Sequence, residues 1–201
     1  MENNNNQISN INIPEKTKLQ KGLLNLWDLV KFAVIAIIIV IPIRMFIAQP
    51  FVVSGESMFP TFNDKEYLIV DEISYIIGNP QRGEVIIFRY PNDTKRFFIK
   101  RIIGMPNEEI IIKNGTVTII NKENPNGFIL NEPYINEKFN TTISYKTGDD
   151  EYFVLGDNRN RSSDSRAWGT LSSKLIIGRA YLRLLPVKNI SYLPGYYKEN
   201  K

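Results

Sequence analysis

The residues best suited to covalent chemistry lie in Ser54-Gly55-Glu56-Ser57-Met58-Phe59-Pro60-Thr61. Gly55 lets the backbone turn sharply two residues before Ser57, and Pro60 fixes φ three residues after it and withholds a donor. A hydroxyl held between those constraints suits a nucleophile, and a turn without chemistry satisfies them equally. The chain contains neither His nor Cys. That excludes a Ser-His-Asp triad, a thiol nucleophile, disulfides and any thiolate or imidazole metal site. No Asp-x-Asp-x-Asp-Gly loop suggests a carboxylate cation site. A serine hydrolase built from this sequence needs another base, and Lys is the leading candidate.

Arg96-Phe97-Phe98-Ile99-Lys100-Arg101-Ile102-Ile103 reads as a strand. With a period of two, Phe98, Lys100 and Ile102 share one face while Arg101 lies on the other. An ammonium on an apolar face loses hydration, so its pKa falls. A fall from about 10.4 to about 8 costs the ammonium roughly 3 kcal/mol and frees the amine near neutral pH. That amine can take a proton from a Ser hydroxyl, whereas on an edge strand the same Lys reaches water. A third stretch, Gly156 to Arg166 followed by Trp168-Gly169, crowds Arg, Asp and Ser behind a strand. A solvated loop of Asx turns fits it, and so does a buried network that fixes neighbouring groups.

The elements that must position these groups divide the 201 residues into one ordinary domain and an appendage. The formal charge of +4 is mild and its Lys and Arg are dispersed, so no nucleic-acid partner is suggested. Residues 1–25 are Asn-rich and polar with a small Lys cluster, and are expected to be disordered. Residues 26–49 form an apolar run expected to be a membrane anchor. Leu29 to Ala48 matches the roughly 20 helical residues that a bilayer core of about 30 Å requires, with Lys31 and Arg44 snorkelling. Lys16, Lys18, Lys21 and Lys31 place the N-terminus in the cytoplasm by the positive-inside rule. Everything beyond the anchor then lies outside, with the lipid bilayer as a partner.

From Phe51 the pattern changes to short β-type runs between turn residues. Runs are expected at 67–70, 85–90, 96–103, 109–113, 116–120, 151–155 and 175–185, with Asn114-Gly115 as a two-residue hairpin turn. The domain at 50–188 is therefore expected to be mostly β, an antiparallel sheet behind one N-terminal transmembrane helix. Thr141 to Asp150 reads as a surface loop. Residues 189–201 read as a Tyr-rich tail, either frayed or touching the membrane.

The three reactive stretches resemble, in order and spacing, those of bacterial type I signal peptidases. The resemblance rests on Ser54 to Thr61, on Lys100-Arg101-Ile102-Ile103-Gly104-Met105-Pro106, and on Gly156-Asp157-Asn158-Arg159 with Ser162-Ser163-Asp164-Ser165-Arg166. Arg82-Gly83-Glu84-Val85 and the single anchor ahead of the serine also match, so the resemblance spans about Leu26 to Pro186. It implies that Ser57 is the nucleophile and Lys100 its general base. It implies that the Ser162 hydroxyl orients the lysine and that Asp157, Asp164 and Arg166 are structural, the last two as a salt bridge. It assigns the oxyanion hole to the Ser57 N–H and a donor at Gly55, which here is either a backbone amide or the adjacent Ser54 hydroxyl. The implied substrates are signal-peptide-bearing preproteins cut after small residues, with no cofactor and no metal. Phe51, Val52, Val53, Met58 and Phe59 are candidates to line the substrate pockets or touch the membrane. Two rivals stay open: a self-cleaving Ser-Lys protease of the repressor type, and a tethered β-domain that binds exported chains without cutting them.

Overall fold

A computed structural model describes residues 18–42, 49–137 and 139–198, and the chain divides into two units at Pro42. The first contains helix α1, Lys18–Pro42. From Trp27 to Val40 its large apolar side chains are exposed all round; Phe32 is 74% and Ile38 63% accessible. Asp28 and Lys31 pair at 3.5 Å one turn apart. Among the described residues no helix is long and apolar enough to cross a membrane. The span expected at 26–49 includes residues 43–48, which lie outside the described residues, as do 1–17.

Among the described residues the second unit is built from twelve strands: β1 (Gln49–Val52), β2 (Tyr67–Asp71), β3 (Val85–Tyr90), β4 (Asp93–Gly104), β5 (Glu109–Lys113), β6 (Thr116–Ile120), β7 (Phe128–Ile129), β8 (Ile143–Lys146), β9 (Glu151–Leu155), β10 (Leu171–Ser172), β11 (Ile176–Leu185) and β12 (Ser191–Tyr192). Two four-residue helices, α2 (Ser74–Ile77) and α3 (Ser165–Trp168), interrupt them. The large sheet runs β1-β2-β11-β3-β4-β9-β10, with β12 added to β11. A smaller sheet runs β7-β6-β5-β8, and every pairing in both sheets is antiparallel.

The continuous apolar run in β3 exists because this strand is covered on both faces. Val85 and Ile87 join a core with Val53, Met58, Phe62, Leu68 and Val70, while Ile86 and Phe88 join another with Ile102, Tyr152 and Val154. A third core fills the small sheet, where Ile110, Ile112, Val117 and Ile119 meet Ile103, Phe153 and Leu155. The β5–β6 hairpin turns at Asn114 and Gly115 with φ of 50° and 78°, the two positive values that a type I′ turn demands.

Sequence reading misses the short strands. The stretch 141–150, expected as a surface loop, contains β8, paired to β5 in register. Ile143 and Tyr145 pack against the third core. Four residues are too few for alternation to stand out, and the pairing that makes them a strand comes from residues over thirty positions away. β1, β7, β10 and β12 escape notice for the same reason. Within the stretch expected as a tail, β12 pairs with β11 and Pro194 is buried.

Candidate active site

Ser57 follows β1 in a loop held at both ends. Gly55 adopts φ of 89°, a conformation open mainly to glycine, and its N–H donates to Asp64 Oδ1 at 2.8 Å. The Phe59 N–H closes a turn onto the Glu56 carbonyl at 3.1 Å. Met58 then enters the core, 1% exposed, and pins the loop to the sheet. Ser57, the residue before it, is half-buried and lines the cleft.

Lys100 lies on β4 opposite Ile86 of β3. β4 is an inner strand, and its lysine is 4% exposed. Its Nζ stands 5.2 Å from the centre of the Phe98 ring, on the face that Phe98 and Ile102 share with it. It donates to Ser57 Oγ at 2.8 Å and to the Ile99 carbonyl at 2.9 Å. Burial pushes the Lys100 amine down to about 8, against the charges of Asp164 and Asp157, which act to keep it protonated. Desolvation wins because each carboxylate is already neutralised by an arginine.

Both carboxylates come from the third stretch. Asp164 is fully buried and takes Arg166 on both oxygens, Nε at 2.7 Å and Nη2 at 2.8 Å. It also caps α3, accepting from the Arg166 N–H at 3.3 Å, and receives the Gly156 N–H at 3.1 Å. Asp157 holds Arg101 in a fork, Nε at 2.8 Å and Nη2 at 2.6 Å, and accepts a hydrogen bond from the Thr61 hydroxyl. Both partners of this pair are essentially inaccessible. At Asp157, Arg159, Asp164 and Ser165 the stretch is thus a buried network, while Asn160, Arg161 and Ser163 face solvent.

Asn158 joins that network to the serine loop. Its N–H donates to the Ser57 carbonyl at 3.0 Å and its side-chain amide to the Glu56 carbonyl at 3.1 Å. Arg101 and Asn158 carry no role in the sequence reading. Strand alternation put Arg101 on the face away from Lys100, but nothing local revealed that this face is buried too. Ser162 is where expectation and geometry part: its Oγ is buried and makes no hydrogen bond in this structure. Lys100 directs its amine to Ser57 and to its own strand instead.

A cleft of about 450 Å³ opens over the pair, lined by Phe51, Val52, Val53, Ser54, Leu68, Ile87, Ser163 and the β4 residues from Arg96 to Ile99. Phe51 and Val53 therefore stand where pocket residues were expected. Met58 and Phe59 do not: Met58 is core, and Phe59 is exposed, away from the cleft lining. Among the described residues no group of acidic side chains is placed to hold a metal ion.

Comparison with known proteins adds an independent line. The family described as signal peptidase, peptidase S26, matches residues 26–185. A probable signal peptidase I-2 of Synechocystis sp. is 40% identical over 189 residues, spanning 90% of this chain and 79% of that protein. The signal peptidase I of Bacillus amyloliquefaciens is 34% identical, spanning 88% of this chain and 95% of that protein. A crystal structure of a signal peptidase I from Enterococcus faecalis V583 is 30% identical with a TM-score of 0.44, covering 51% of this chain and 97% of that one. With the match reaching from before the serine loop to the end of β11, the chain belongs to the signal peptidase family, peptidase S26, and is a serine endopeptidase of the type I kind.

Proposed function

We propose that this chain is a membrane-anchored endopeptidase that removes N-terminal signal peptides from exported preproteins, with Ser57 as nucleophile and Lys100 as general base. The observation that carries the reading is the 2.8 Å contact between Lys100 Nζ and Ser57 Oγ, made by an amine that burial brings down to about 8. With the amine neutral, its lone pair accepts the Ser57 proton across that contact as the oxygen attacks the scissile carbonyl. Lys100, now an ammonium, gives the proton to the departing amine. It then serves as base for the water that hydrolyses the acyl-enzyme.

The tetrahedral oxyanion needs two donors, and losing one costs about 3–4 kcal/mol. The Ser57 N–H is one. The Gly55 N–H is already given to Asp64, which favours the Ser54 hydroxyl, on the cleft wall, as the second. The substrate lies extended in the cleft, where two edges can receive it. β1 ends the large sheet, and β9 pairs with β4 only from Arg101 onward, leaving the residues before Lys100 without a partner on that side among those described. Phe51, Val53, Leu68 and Ile87 leave room for small side chains, which suits an A-x-A-like cleavage site.

The exposed apolar surface of α1 supports an anchor. Beyond Pro42, Ile43, Met45, Phe46 and Ile47 continue the apolar sequence that begins at Leu29. The Lys residues before it support a cytoplasmic N-terminus and an extracytoplasmic catalytic domain at the cell membrane. The test is cleavage of a secretory preprotein by the detergent-solubilised chain beside Ser57→Ala and Lys100→Met. The parent should cut after the small-residue motif while both folded variants do not. A folded parent that binds preprotein and never cuts it would refute the reading.

A further inference from the structure

The segment Pro194-Gly195-Tyr196-Tyr197 follows β12 and crosses the side of β4 that carries Arg101. The Gly195 carbonyl accepts a hydrogen bond from Arg101 Nη1, which also donates to the Gly83 carbonyl at 2.9 Å. With Nε and Nη2 on Asp157, the inner guanidinium edges are occupied by Asp157, Gly83 and Gly195. Its face lies over Tyr134, 3.8 Å from the ring centre. Tyr197 meets Tyr134 edge-on at 5.7 Å, accepts from Asn131 Nδ2 at 2.8 Å, and gives its N–H to the Gly83 carbonyl at 3.4 Å. Gly195 has φ of 76°, and a Cβ there would stand 2.6 Å from Thr61 Cγ2. The segment is thus seated against the residue whose hydroxyl binds Asp157.

We propose that residues 194–197 form a positioning strap for the catalytic pair, acting through Arg101 and Asp157. The inference rests on the Ser57–Lys100 reading. A continuous line of contacts supports it. Gly195 holds Arg101, Arg101 and Thr61 hold Asp157, and the next residue, Asn158, binds the Ser57 carbonyl. Arg101 also adjoins Lys100 on β4, so the strap bears on both halves of the pair. A guanidinium with its edges satisfied has one geometry. Removing the Gly195 acceptor frees Arg101 and, with it, Asp157 to shift. Small misplacements of this kind are costly to catalysis without contact to substrate. A loosened Arg101 also neutralises Asp157 less, and the Asp157 charge then favours the ammonium form of Lys100.

The experiment uses the full chain in detergent with a secretory preprotein, comparing the parent with Gly195→Ala and with a chain ending at Leu193. Circular dichroism checks that each is folded, and Ser57→Ala and Lys100→Met run alongside. The expected result is a loss of about ten-fold in kcat with KM within about two-fold, and an acidic limb of the pH–rate profile moved to higher pH. If the shortened chain does not fold, Gly195→Ala decides by the same criteria. An unchanged kcat overturns the strap, and so does a fall in kcat with the acidic limb left in place. If Lys100→Met keeps full activity, the dyad reading fails instead, and the two failures are told apart.

Discussion

Replacing Lys100 by Met isolates the energetic consequence of burying the amine of the proposed base. In the folded chain the amine titrates at about 8, against an ordinary 10.5. Between those values the unfolded chain holds a proton that the folded chain has released, so stability rises with pH across that window. The contribution is complete above about 10.5 and lost as pH falls to about 8; over the interval it amounts to about 3 kcal/mol. Met has a similar length and no charge, so Lys100→Met lacks this dependence. The variant also loses the contacts to Ser57 Oγ and the Ile99 carbonyl, a roughly pH-independent cost of about 1–2 kcal/mol. Tyr75, Tyr134 and Tyr152 are raised by burial and destabilise both chains alike at alkaline pH, so the difference between the chains cancels them. The assay is urea unfolding in detergent at intervals from pH 7 to pH 11. Parent minus variant should climb by about 3 kcal/mol between pH 8 and 10.5. Under the proposed dyad the same titration sets the rate. At pH 7 about one-tenth of Lys100 is neutral, against about three parts in ten thousand for an unburied lysine, and preprotein cleavage should rise about five-fold from pH 7 to pH 8. Parallel stability curves for the two chains, or an acidic limb near 10.5, would refute a desolvated base.

Two further outcomes follow from the network. Arg101→Met strands a carboxylate at Asp157 in a site with essentially no solvent, and should cost about 3–5 kcal/mol by chemical denaturation; a loss under about 1 kcal/mol would mean that water reaches Asp157. Asn158→Ala removes the side-chain bond to the Glu56 carbonyl and keeps the backbone bond to Ser57. It should lower kcat about ten-fold in steady-state cleavage, with little change in melting temperature, and a wild-type kcat would show that the Ser57 loop holds itself.

Much of the site was legible because its signals are local. The absence of His and Cys left Lys as the leading candidate for the base of the proposed dyad. Alternation on the β4 run set Lys100 between Phe98 and Ile102, and the inner position of β4, which buries the amine and lowers its pKa, came from the structure. Gly55 announced the turn before Ser57. The strands of five or more residues were visible with bounds close to those observed, since each carries enough alternating or continuous apolar sequence to show its period.

What the sequence could not supply is what other parts of the chain do to a residue. Burial of Arg101 on the far face of β4 depends on Tyr134, Gly83 and Gly195, which arrive from three separate segments. Met58 looked like a pocket residue because it adjoins the serine, and became core because the turn after Gly55 points it into the sheet. Ser162 lies in its expected stretch, yet its hydroxyl faces no partner, a matter of ångströms that spacing does not encode. The strands β8 and β12 exist only through distant pairing. The sequence by itself determined the candidate reactive groups and the faces they occupy, because those follow from residue chemistry and strand period. Tertiary structure alone decided which charges are neutralised and which edges stay open, because both depend on contacts between segments far apart in the chain.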